Sequence, residues 1–273
     1  MVLVAVITKI SSQKNNKVRY SVYIDDGSGE AFGFGVDEDT LIRFGLRKGL
    51  EINEAAVQEI LREDKIQKAH NLSLSYLSYR MRTEHEMISY MKKKEVDEAI
   101  IPIVIEKLKA NGYLNDLLYA KSYVREKKRL LTKGPLLLKR ELNNKGIAET
   151  HIEEALREFT ADEQLETAVR FIQKKTGQYR KNSQKEVIRK LGMQLQQKGF
   201  PLEIIQEALN DMPLQDKNEE REALRIQAEK AHRRYKKYEG AEYNRRMKQY
   251  LYGKGFQISD IEQALLDFNH ETN

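Results

Sequence analysis

The sequence predicts a mainly α protein, an elongated tandem array of about four three-helix repeats preceded by a small β-containing N-terminal domain. Three observations predict it. The motif Leu-x-x-Lys-Gly-[Ile/Phe] recurs at Leu142–Ile147, Leu195–Phe200 and Leu251–Phe256. The same apolar register follows every copy, and strand-like alternation is confined to the start of the chain.

The N-terminal elements come first. Residues 2–10 read as a strand, because Met1–Ile7 is apolar but short and lacks the basic region and cleavage site of a signal peptide. Gln13–Lys17 reads as a turn. Val18–Ile24 alternates β-branched and aromatic residues with polar ones, the period of a half-buried strand. Asp26–Gly29 gives a second turn and Ala31–Val36 a third strand. A short helix near Asp39–Phe44 and a brief strand near Leu50–Ile52 complete a domain over residues 1–62. A sheet of this size needs a helix against one face.

From about Asn53 the strand signal gives way to the repeat. The motif glycines are 53 and 56 residues apart, and a degenerate copy, Met91–Val96, carries Glu95 in the glycine position 51 residues before the first. A residue of positive φ just past a helix end closes a Schellman cap, in which the following apolar residue meets the last turn. Glutamate there costs about 1 kcal/mol relative to glycine. Six, nine, ten and thirteen residues after the cap stand Ile152, Ala155, Leu156 and Phe159, then Ile205, Ala208, Leu209 and Met212, then Ile261, Ala264, Leu265 and Phe268. The degenerate copy gives Ile101, Val104, Ile105 and Leu108. This is the stripe of a helix with one buried face.

Upstream of the caps, Thr83-x-x-Glu86 forms a capping box and Ser183-x-x-Glu186 repeats it, while Gly134-Pro135 puts proline at a helix start. Leu165, Ala168, Val169 and Ile172 give an earlier helix its own stripe. Each unit therefore holds three helices. The expected units are 63–113, 114–161, 162–213 and 214–273, with Pro213 and Gln215–Glu220 at the last joint.

Composition excludes several function classes. Hydrophobic residues make up 40% and charged residues 33%, which suits thin stacked layers better than one large core. Without cysteine there are no disulfides, thiolate nucleophiles or Cys-bound zinc. No apolar run approaches the roughly 18 residues of a membrane span, so the cytoplasm is the expected compartment. His70, His85, His151, His232 and His270 show no ligand spacing, and Asp37-Glu38-Asp39 reads as a helix cap, so no metal or cofactor is expected. Gly27-x-Gly29 and Gly33-x-Gly35 lie between strands, without the βαβ crossover of a dinucleotide site. With no phosphate-loop lysine and no nucleophile beside a base, the chain reads as a binding protein and not an enzyme.

The net charge of +6 is unevenly spread. Residues 1–62 carry net −1, and the remainder +7. Segments 121–145, 170–198 and 225–254 hold net +7, +8 and +7, while 149–166 has seven acidic side chains against one basic and 203–222 has seven against two. The plain explanation is solvated faces with ion pairs between helices. The sharper one is a basic stripe, repeated once per unit, that suits an extended polyanion or an acidic partner. Tyr79, Tyr119, Tyr123, Tyr179, Tyr235, Tyr238 and Tyr243 are interleaved with it, as core, rim or base-stacking residues.

The run Tyr76–Met87, with Gly112–Asp116, Ala120-x-x-Tyr123-Val124 and Lys133-Gly134-Pro135, resembles the RecX family of recombination regulators. The likeness is clearest over residues 68–160 and looser to 212; the N-terminal domain and fourth unit are similar to the longer Gram-positive form. The resemblance implies a modulator of RecA in recombination, DNA repair and the SOS response. It would bind the RecA–single-stranded DNA filament along its groove and inhibit ATPase, strand exchange and coprotease functions. Partners would be that filament and single-stranded or duplex DNA, with no membrane and with the chain a monomer. Thr83 and Glu86 are accounted for by the capping box, and Leu77 and Met87 by the core. Arg80 and Arg82 are candidate contacts to RecA or DNA, and charge clustering adds Lys127, Lys128, Arg129, Lys133, Lys139 and Arg140. Two other readings stay open, a tandem helix-turn-helix DNA-binding protein and a helical adaptor for an acidic protein.

Overall fold

Alternation and turn chemistry build the first element group. The computed structural model describes residues 4–14, 16–130, 133–213 and 216–271. Strands β1 (Val4–Gln13), β2 (Asn16–Asp25), β3 (Ala31–Asp37) and β4 (Glu51–Asn53) form an antiparallel sheet of order β3-β2-β1-β4. Gln13 faces Asn16 across the first hairpin, so the ladder runs further into the Gln13–Lys17 stretch than its polarity suggested. Asn15 lies outside the described residues. In the next turn the Asp25 carboxylate accepts the N–H groups of Gly27 at 2.8 Å and Gly29 at 2.9 Å. Asp37 caps the short helix α1 (Glu38–Arg43), as its acidic neighbours indicated.

Helix α2 (Glu54–Leu77), capped by Asn53, runs unbroken through position 62. Its first half brings Ile60 to the sheet core of Ile7, Val22, Phe34, Val36 and Ile52. Its second half places Ile66 and Ala69 in a different core, with Met87, Met91, Val104 and Leu108 of helices α3 (Glu84–Lys93) and α4 (Ile101–Ala110). The buried Asp64 ties the helix to the sheet. It accepts the Asp37 N–H at 2.6 Å and pairs with Arg19 at 2.9 Å.

Three further helix triplets follow. They are α5 (Asp116–Arg129), α6 (Pro135–Asn144) and α7 (Glu149–Leu156); then α8 (Ala161–Thr176), α9 (Gln184–Gln197) and α10 (Leu202–Asn210); then α11 (Lys217–Tyr235), α12 (Gly240–Gly253) and α13 (Ile258–Glu271). The expected stripes are buried at Ile152, Ala155 and Phe159, at Ile205, Ala208 and Met212, and at Ile261 and Leu265. The side chain of Phe268 lies outside the described residues. The fold is thus mainly α with a small N-terminal sheet. Two compact units emerge. The first runs through Tyr119 and includes Lys145–Ala148; the second holds Ala120–Asn144 and the chain from Glu149.

The caps form as the motif demands. Gly146, Gly199 and Gly255 have φ of 76°, 83° and 92°, and Glu95 takes 58°. Phe200 N–H reaches Leu195 O at 3.1 Å and Val96 N–H reaches Met91 O at 3.1 Å, the long bond of a Schellman closure.

Each glycine cap also serves as a seat. In the first unit, the Thr83 hydroxyl at the start of α3 donates to the Lys145 carbonyl at 2.9 Å. In the second, Gly134 N–H at the start of α6 donates to Lys198 O at 2.7 Å, and Leu136 N–H to Gly199 O at 2.9 Å. There too the Ser183 hydroxyl at the start of α9 donates to Lys254 O at 2.5 Å. The middle helix of one triplet thus begins on the cap of the next. A Cβ on Gly199 would stand 2.3 Å from Leu137 N, and one on Gly146 2.5 Å from His85 Cβ. Glycine is required at these joints for space as well as for φ.

Candidate nucleic-acid interface

The basic helix α5 faces acidic neighbours. Lys121 pairs with Glu154 at 2.6 Å and Arg125 with Glu158 at 2.6 Å. Lys128 reaches both Glu163 oxygens, at 2.8 and 2.9 Å, and the Glu158 carbonyl at 2.7 Å. Glu163 is itself the reciprocal partner in the Thr160 capping box that opens α8. These hydrogen bonds hold the Glu158 and Glu163 carboxyls below their ordinary range. The opposition of segments 121–145 and 149–166 is therefore met largely by pairing between helices.

Most of the eight candidate residues prove to be engaged. Arg80 makes a two-pronged contact with Glu86, both hydrogen bonds 3.2 Å. Burial works against ionisation of Glu86, but Arg80 and Lys145 together hold its carboxyl low. Arg82 lies over the Tyr76 ring at 3.9 Å, and Tyr76 stacks on Tyr90 at 3.8 Å. Lys127 pairs with Glu126 at 2.6 Å, and Lys133 pairs with Glu141, which also accepts the Tyr123 hydroxyl at 2.8 Å. Lys127 and Lys133 come together over the Tyr123 ring, at 5.2 and 5.9 Å. Lys139 pairs with Glu149. Arg129 and Arg140 are exposed and make no ion pair to a described residue. Of the interleaved tyrosines, Tyr119 is buried, Tyr235 and Tyr243 line the last core, and Tyr79 is 84% exposed.

A larger uncompensated charge lies further along the second unit, away from the eight candidate residues. Lys174, Lys175, Arg180, Lys181 and Lys185 are surrounded by few acids, and none makes an ion pair to a described residue. The same holds for Lys230, Arg233, Arg234, Lys236, Lys237 and Arg245. All of these but Lys175 are exposed. The two groups are joined locally: Gln227 of α11, one turn before Lys230, donates to the Lys181 carbonyl at 2.6 Å. Burial, and then repulsion from Lys175, pushes the Lys198 ammonium below its usual value. Repulsion of this kind favours an anionic ligand. Local charge counts held this signal, since 170–198 has a single acid. Which basic segments would be neutralised depended in part on partners more than thirty residues away, as for Lys121, Arg125 and Lys128. Among the described residues, no group of three His, Asp or Glu side chains is placed to hold a metal ion, and no helix is long and apolar enough to cross a membrane.

Family models match nearly the whole of this arrangement. The RecX N-terminal domain matches residues 5–53, the first three-helix domain 69–108, the second 115–156, and the third twice, at 162–209 and 218–265. The chain belongs to the RecX family. It is 44% identical over 259 residues to the regulatory protein RecX of Bacillus thuringiensis subsp. konkukian, covering 94% of this chain and 96% of that one. It is 43% identical over 262 residues to the RecX of Bacillus cytotoxicus, with 96% and 97% covered. A crystal structure of regulatory protein RecX superposes with TM-score 0.66 at 34% identity, covering 76% of this chain and all of the other. RecX from Lactobacillus salivarius gives TM-score 0.53 at 34% identity over 55% of this chain and 97% of that one. These relatives are named as regulatory proteins, and RecX helical domains account for the triplets from α3 onward.

Proposed function

We propose that this RecX-family chain binds the RecA–single-stranded DNA filament and inhibits its ATPase, strand-exchange and coprotease activities. It acts as a non-catalytic monomer in the cytoplasm, with segments 1–62 and 63–113 working together through α2 and 114–161, 162–213 and 214–273 as further modules. DNA is held through phosphate contacts from basic side chains. The observation that carries this reading is the exposed basic surface of residues 174–185 and 230–245, which lacks carboxylate partners among the described residues. Lys127, Lys128, Lys133 and Lys139 contribute as anchored contacts of the second unit, Arg129 and Arg140 as its exposed ones, and Arg80 and Arg82 as contacts of the first unit.

The deciding experiment is a titration of RecA ATP hydrolysis on single-stranded DNA with the full chain. Inhibition below one chain per RecA is expected. Unchanged hydrolysis, with no binding to preformed filaments, overturns the proposal. Preference for one duplex sequence over unrelated duplexes would instead favour the tandem helix-turn-helix reading.

A further inference from the structure

Three of the four caps are covered and one is bare. Gly146 sits against His85, Gly199 against Leu137, and Gly255 against Ser183 and Lys185. At Lys94–Val96 no middle helix arrives among the described residues; the sheet strands precede this triplet in the chain. Lys94 and Glu95 are exposed; of the covered glycines Gly199 is buried, Gly255 half-buried and Gly146 exposed at its outer side. Beside the bare cap lies a cavity of about 650 Å³, floored by Ala69, Leu72, Val96 and Ile100 and rimmed by Lys65 and Lys68.

The complementary half-joint is at the other end of the chain. Helix α12 begins at Gly240 after Glu239, with Glu242 in its first turn, and Glu239, Gly240 and Glu242 are exposed. In the complete joint of the first unit, the lysine before the cap glycine also pairs with the acid of the arriving helix, Lys145 with Glu86 at 3.3 Å. Lys94 and Glu242 hold the same places at the bare cap and at the exposed start of α12, where Glu242 pairs with Arg246 of its own helix at 2.8 Å across the surface. A second copy of this chain thus has the charge, the helix start and the cavity needed to add head to tail. Repeated head-to-tail addition does not close and gives open polymers.

What forbids it is one side chain. A Cβ at the covered caps would fall 2.3 to 2.8 Å from the arriving segment, inside any permitted contact. Glu95 carries that Cβ and holds it at a φ of 58°. We propose that Glu95 is an end-stop that keeps the first triplet from seating the α12 start of another copy. The exception in the repeat motif is then a device that limits each molecule to its own length. The strain of the left-handed glutamate is retained because glycine there would complete the seat.

Sedimentation of the full chain and of Glu95→Gly and Glu95→Ala, across a range of concentrations and salt, tests this. The wild type and Glu95→Ala are expected to stay monomeric, since alanine keeps the Cβ. Glu95→Gly is expected to form oligomers that grow with concentration and shrink with salt, and Glu242→Lys in the same chain should abolish them. Circular dichroism verifies that each variant is folded. A folded Glu95→Gly that stays as monomeric as the wild type overturns the proposal. So do a wild type that polymerises, an alanine variant that associates equally, or oligomers that survive Glu242→Lys.

Discussion

The Thr83 hydroxyl donates to the carbonyl of Lys145, 62 residues away, at 2.9 Å, while accepting the Glu86 N–H of its own helix at 3.1 Å. One oxygen thus caps α3 and fastens the joint. A capping hydroxyl is worth about 1 kcal/mol, and stranding the partly buried Lys145 carbonyl adds about 1–3 kcal/mol. Thr83→Val is therefore expected to lower unfolding free energy by about 3 kcal/mol. Thr160→Val, at a surface capping box, should lower it by about 1 kcal/mol. Urea denaturation compares the two, and equal losses would show that the joint bond adds nothing.

Gly112 and Gly146 separate conformation from space. Their φ values are 74° and 76°, yet an added Cβ meets nothing within 4 Å at Gly112 and meets His85 Cβ at 2.5 Å at Gly146. Gly112→Ala is expected to destabilise by about 1 kcal/mol from backbone strain. Gly146→Ala should add about 1–3 kcal/mol for the overpacking. Thermal unfolding of both variants checks the difference.

His70 supplies a pH test. It is buried, neither ring nitrogen has a partner, and burial followed by the charge of Lys107 pushes its imidazole below the ordinary value. The unfolded chain, with a value of about 6.5, takes up the proton first as pH falls. Its contribution to stability is then full above about pH 6.5 and is lost as pH drops toward the folded-state value. His70→Leu should flatten the stability profile in that acidic window. An unchanged slope between the two proteins would rule out His70 as its source.

Paired and unpaired bases should behave differently toward DNA. Replacing Lys174, Arg180, Lys181 and Lys185 with alanine is expected to weaken single-stranded DNA binding and flatten its salt dependence by about 0.7 per lost phosphate contact. Lys128→Ala, which removes the hydrogen bonds to Glu163 and to the Glu158 carbonyl, should act mainly on stability. Fluorescence anisotropy against salt concentration distinguishes the two. Equal slopes for the wild type and the four-residue variant would remove this surface from the DNA contact.

Local patterns in the chain were faithful guides to local structure. The cap motif, the Thr83 box and the proline that opens α6 all depend on interactions within a few residues, and each forms as its spacing requires. At Ser183 only half of the expected box forms, the hydroxyl accepting the Glu186 N–H at 3.2 Å while the Glu186 carboxylate bonds Arg189. Pairings over distance were not legible. Lys128 read as a free charge because Glu163, 35 residues on, becomes its partner only through the fold. The apolar face of α2 showed that it would be buried, but not that two cores would share it. Ile60 and Ile66 carry the same pattern on one helix, and only the packing tells their neighbours apart.

That shared helix has a mechanical consequence. Cutting the chain between Arg62 and Glu63 would leave each fragment with half a rod and an apolar flank open to water. The sheet and the first triplet should therefore melt in a single transition, and neither is a detachable part. A tug on the N-terminus is carried straight through α2 into the bundle beside the bare cap.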